Sequence, residues 1–126
     1  MSAADRQHRE IMDRIEQSVR LPAGAAPLQK YARYYAWDKH GDVSADFFMH
    51  DDDEMPRAKA VCTREYVNAF PCGETRGSLR MIRNGQRTWL NEEPFPLMDG
   101  GGCSEVSVHY SVRTGRVDFV ECNGPR

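Results

Sequence analysis

The chain predicts an α+β fold, with an N-terminal helix packed on a curved, mostly antiparallel sheet of roughly four to six strands. Three observations carry the expectation. Ile11, Ile15 and Val19, with Met12 beside them, recur at helical spacing. Val106, Val108, Tyr110 and Val112 alternate with polar residues, as in a half-buried strand. Between these segments, Asn84-Gly85 sits among strand-type residues and is the dipeptide that two-residue hairpins favour.

The helix is expected over 1–21. Ser2 can cap it, with Asp5 in the first turn, and Pro22 stops it because the residue before proline is pushed out of the α region. Residues 28–126 are the sheet-forming region. After the linker LPAGAAP, residues 28–38 read LQKYARYYAWD, rich in strand-favouring aromatics, with a helix as the alternative reading. An extended backbone puts Tyr31, Arg33, Tyr35 and Trp37 on one face and Ala32, Tyr34 and Ala36 on the other. Residues 38–57 are expected as a long acidic loop, with Phe47, Phe48 and Met49 tucked back onto the body. A strand candidate at 58–69 follows.

Asn84-Gly85 predicts a type I′ turn, setting Leu79 opposite Leu90, Met81 opposite Thr88 and Arg80 opposite Trp89. Arg80 can then lie over the Trp89 ring. In the last hairpin, a turn at Thr114-Gly115 sets Val112 against Val117 and Tyr110 against Phe119. The parity of the final strand stays open, because Val120 and Cys122 occupy its other face. A curved meander over a helix is the two-layer geometry of cystatin-like domains, an analogy of fold that carries no function.

A chain of 126 residues fits a single domain, 1–126, with one core. A formal net charge of −2 gives no global attraction to nucleic acid or acidic membranes, so such binding needs a local patch. No apolar run is long enough for a transmembrane segment. The start, MSAADRQHRE, lacks a basic and apolar export signal, which fits a cytoplasmic chain or a mature form whose signal has been replaced by a start methionine. Cys62, Cys72, Cys103 and Cys122 contain no C-x-x-C, and no histidine pair has zinc-finger spacing. Their even count allows two disulfides or four buried thiols.

Chemistry-bearing stretches are each weighed against a plainer reading. Gly100-Gly101-Gly102 leads into a strand rather than a helix, so no nucleotide site is expected. Cys103 as a nucleophile needs a base, and His109 on the same strand lies roughly 20 Å away at ~3.3 Å per residue. The run from Asp51 to Glu54 lacks calcium-loop spacing and reads as a solvated loop rather than a metal site. Arg76, Arg80, Arg83 and Arg87 make the Asn84-Gly85 hairpin basic, yet the predicted pairing splits Arg80 and Arg87 from Arg83. Charge complementarity with the acidic loop or a protein partner is preferred to nucleic acid.

The segments VRLPAGAAPLQKYARYYAW, DGGGCSEVSVHY, TGRV and ECNG resemble a group of small, uncharacterised, generally exported bacterial proteins. Those share a V-R-L-P start, a Y-A-R-Y-Y strand, a D-G-G-C turn and a closing C-N-G. The resemblance covers residues 19–35 and 97–124, and the turn here carries one extra glycine. It brings no activity. It implies a periplasmic or secreted, oxidising setting and a disulfide between Cys103 and Cys122.

The function expected is therefore a small non-catalytic binding or structural domain of the bacterial cell envelope, without cofactor, catalytic residue or metal ligand, whose partner is another protein. Its expected surface joins Tyr31, Arg33, Tyr35 and Trp37 to Arg80, Arg83, Arg87 and Trp89, residue types that anchor interfaces. The plainer reading places the aromatics in the core. The rival classes are a thiol-dependent enzyme through Cys103, a metal-dependent enzyme through Asp51 to Glu54, and a nucleic-acid binder through the arginine hairpin.

Overall fold

A computed structural model describes residues 1–50, 82–91 and 101–124. Helix α1 spans Ala3–Ser18. Ser2 caps it, its Oγ accepting the Asp5 N–H at 3.0 Å. The helix ends earlier than the expected residue 21. Val19 turns extended, its N–H still bonded to the Ile15 carbonyl at 2.8 Å, and it packs against the core beside Met12.

Among the described residues the sheet has five strands in the order β3-β1-β2-β4-β5, namely β1 (Ala32–Trp37), β2 (Val43–Phe48), β3 (Arg87–Trp89), β4 (Glu105–Ser111) and β5 (Arg116–Cys122). Strands β1–β2, β2–β4 and β4–β5 pair antiparallel, while β3 joins β1 in parallel. The helix packs on this open sheet, and α+β is the fold.

Period-two alternation sorts the side chains into two layers. Facing α1 are Tyr31 and Tyr35, Val43, Ala45 and Phe47, and Val106, Val108 and Tyr110, closed over by Ile11 and Ile15. On the opposite face Ala32, Tyr34, Ala36 and Phe48 cluster with Ile82 and Leu90. Strand β1 is therefore covered on both sides, which explains its aromatic-rich run.

Three expectations are corrected. Within the expected acidic loop 38–57, residues 43–48 form β2, a central strand, because Val43, Ala45 and Phe47 alternate toward the helix. Before that strand the chain makes a turn from Asp38 to Asp42, with Gly41 at φ 84°. The Asn84-Gly85 turn is not type I′. Only Gly85 has positive φ, at 89°, and the Gln86 N–H bonds to the Arg83 carbonyl at 3.1 Å, as a type II turn allows. Its following strand then pairs with β1. The pairings drawn for Leu79, Arg80 and Met81 lie outside the described residues, as do the strand candidate at 58–69, the Asp51 to Glu54 run, Arg76, Cys62 and Cys72.

The last hairpin is also shifted. Tyr110 faces Val117, and a bulge then leaves Asp118 unpaired, so that His109 faces Phe119 and Val108 faces Val120. One extra residue switches the strand's parity. Val117, Val120 and Cys122 all pack toward the core, while Phe119 is left 47% exposed.

Candidate functional site

The structure gathers six of the residues expected to form a binding surface, but on the helix-covered face, with Tyr31, Arg33 and Tyr35 buried and Trp37, Arg87 and Trp89 half-buried. Tyr31 and Tyr35 are fully buried and Arg33 nearly so. The register makes Arg33 and Arg87 direct neighbours on β1 and β3. Like charges so placed repel, and α1 answers them. Glu16 takes Arg33 Nε at 3.0 Å and Arg87 Nη1 at 3.3 Å, while Asp13 takes Arg87 Nη2 at 2.8 Å.

The Tyr35 hydroxyl donates to Glu16 as well, and its pKa is raised by burial and then by that carboxylate. The Trp89 and Trp37 rings meet edge to face at 5.3 Å, and His8 stacks on Trp89 at 4.0 Å. Burial lowers the His8 pKa against the opposing pull of Asp5. Arg83 is exposed at the turn, apart from this seam, and Arg80 lies outside the described residues. The plainer reading of the aromatics as core holds for Tyr31 and Tyr35. Asp13 and Glu16 were not singled out in the sequence, although two acids at i, i+3 beside the apolar stripe could have marked them.

Cys103 and Cys122 form a disulfide, with sulfurs 2.00 Å apart and Cα atoms at 4.6 Å. Gly101 and Gly102, at φ 88° and 59°, let the chain curl back before β4 so that Cys103 reaches the end of β5. The Gly102 N–H bonds to the Gly124 carbonyl at 2.8 Å, and the Tyr31 hydroxyl donates to the Cys103 carbonyl. A sulfur in this bridge has no thiolate to offer, which removes the nucleophile that the thiol-enzyme reading placed at Cys103.

Two polar clusters were not anticipated. The first lies on the second face of the sheet. Ile82 N–H donates to the Tyr34 hydroxyl at 3.2 Å, and that hydroxyl pairs with His50 Nε2 at 3.1 Å. Burial lowers the His50 pKa to about 4 and pushes Tyr34 up to about 12. The Asn84 side chain grips the residue 50 backbone twice, accepting its N–H and donating to its carbonyl, both at 2.8 Å. Nearby Asp46 is buried with one carboxyl oxygen unpartnered among the described residues, and its pKa is well raised by burial and then by its hydrogen bond to Glu105.

The second cluster joins the β1–β2 turn to β4. Asp38 Oδ1 accepts the His40 and Asp42 N–H groups at 2.8 and 2.9 Å, and Asp42 Oδ1 accepts the Val112 N–H at 3.0 Å. Both Oδ2 atoms then point at His109 Nε2, at 3.3 and 3.5 Å, while Asp118 takes His109 Nδ1. The bulge supplies this last contact, turning the unpaired Asp118 toward the imidazole. The hydrogen bond to Asp118 raises the His109 pKa against desolvation, with the other carboxylates adding. Burial pushes Asp38 up, but the two backbone N–H groups and His109 outweigh it and hold the carboxyl below its usual range.

No family model, curated protein or solved structure matches this chain. The site must be read from its own geometry. Among the described residues, no helix is long and apolar enough to cross a membrane.

Proposed function

We propose that the chain is a small, non-catalytic binding domain of the bacterial cell envelope, which engages an acidic, extended segment of another protein through its last hairpin. The observation that carries this reading is the exposure of that hairpin. Val112 and Phe119 are 46% and 47% exposed, which is high for large apolar side chains in the body of a fold. Arg113 and Arg116 flank the turn and are exposed, with no ion-pair partner among the described residues. Phenylalanine and arginine on one hairpin are residue types that anchor interfaces, and two cations without an ion-pair partner among the described residues select an acidic mate.

The disulfide and the resemblance to exported proteins support the envelope setting, since such bridges persist in oxidising compartments. The reading moves the binding surface from Arg33 and Arg87, which have partners inside the fold, to Arg113 and Arg116, which have no ion-pair partner among the described residues.

A photo-crosslinking residue at position 119, in protein exported to the periplasm, tests it. A discrete adduct is expected that disappears in Arg113→Glu/Arg116→Glu, with none from the same probe at position 39. Equal labelling at both positions, or an adduct unaffected by charge reversal, overturns the reading.

A further inference from the structure

We propose that Asp38, Asp42 and His109 hold a divalent cation of the zinc class, with Asp118 orienting the imidazole from behind. These three residues each offer one ligand atom, and the atoms all lie within 4.8 Å of one another. Zinc bonds of ~2.1 Å to nitrogen and oxygen give a tetrahedral edge of roughly 3.4 Å. The two carboxylate oxygens stand 3.3 and 3.5 Å from Nε2, so two edges of that tetrahedron are already drawn.

Each ligand is also aimed. The Oδ1 atoms of Asp38 and Asp42 are occupied by backbone N–H groups, which leaves Oδ2 of each for the shared point. His109 Nδ1 is engaged by Asp118, which leaves Nε2 as the coordinating nitrogen, the arrangement that orients histidine ligands in metal sites.

Charge decides between this and an ordinary ion-pair network. At the helix seam two arginines meet two carboxylates and the account closes. Around His109 three carboxylates face one imidazole, so even its protonated form leaves two negative charges without an ion-pair partner among the described residues. Repulsion of that kind is relieved by a doubly charged ion. Asp38 is only 7% exposed, whereas His109 and Asp42 are about one-third open, so the fourth position faces solvent. An imidazole with two carboxylates suits zinc and its first-row neighbours better than calcium, which prefers six or more oxygens.

The test uses the full chain with its disulfide intact, titrated with Zn²⁺ against a chromogenic chelator and with Co²⁺ by visible absorption. One equivalent of Zn²⁺ is expected to bind, and Co²⁺ to give the intense d–d bands of a tetrahedral nitrogen–oxygen site. His109→Ala is expected to abolish both signals. Asp118→Asn is expected to weaken Zn²⁺ binding about tenfold or more, as for other partners of ligating histidines.

Asp42→Asn guards against a folding defect, because its side-chain oxygen can still accept the Val112 N–H while the second ligand oxygen is lost. It is expected to weaken binding at least tenfold. Absence of saturable binding, or affinity unchanged in folded His109→Ala or Asp42→Asn, overturns the proposal. Crosslinking at position 119 needs no metal, so the proposed function and this site can fail separately.

Discussion

Arg33 and Arg87 stand side by side on neighbouring strands, and their dependence on the helix differs with exposure. The Arg33–Glu16 pair is nearly closed to water, at 9% and 16% side-chain exposure, whereas Arg87 and Asp13 are 26% and 48% open. Removing one partner of a desolvated pair strands the other, but an open pair contributes little. Arg33→Ala is therefore expected to cost about 2–4 kcal/mol in urea unfolding, and Arg87→Ala about 1 kcal/mol or less.

The second face titrates. His50, held neutral with a pKa lowered to about 4, makes the unfolded chain the better proton acceptor between about pH 6.5 and 4. Stability is expected to fall as pH drops through that window, and His50→Gln to remove that part of the slope. Asp46, whose pKa is raised, acts in the opposite sense. Its contribution is present at low pH and lost as pH rises, so Asp46→Asn is expected to raise the urea midpoint at pH 7. Sequence reading grouped Tyr31, Tyr35 and Trp37 with Arg33 on one face, but Glu16, the carboxylate that meets Arg33 there, lies elsewhere in the chain.

Strand β5 accommodates one residue that is left out of the ladder. With Asp118 bulged out, Val117 and Val120 both reach the core. Deleting Asp118 is expected to leave the remaining pairs in place, so the disulfide still forms and only the His109 contact is lost. Inserting one serine between Phe119 and Val120 is expected to turn Val120 and Cys122 to the other face and abolish the bridge. Thiol alkylation followed by mass measurement reads both outcomes.

At this scale the helix, its serine cap, β1 and the last hairpin were legible, because each rests on a local period or a local cap. Strand β2 was not, since Asp38, Asp42 and Asp46 gave its surroundings the look of a solvated loop. The bulge and the parallel docking of β3 have no local signature, because both are chosen by what lies across the sheet.

The Cys103–Cys122 bridge closes a loop of 19 residues in sequence separation. Loop-closure entropy assigns such a link about 3 kcal/mol, so Cys103→Ser/Cys122→Ser is expected to lose about that much in urea unfolding, with the wild type falling similarly under reductant. Cysteine spacing alone leaves the pairing open, and the glycine turn that brings Cys103 back to β5 becomes visible only in three dimensions. Asp38, Asp42 and His109 were equally hidden, because they come from a turn and a strand distant in the chain and match no spacing rule. The bridge has one mechanical consequence. If the chain is pulled from both sides, traction arriving past Cys122 crosses the sulfurs to Cys103 and never travels along the ribbon between them. That hairpin should therefore hang slack while the rest of the protein is stretched.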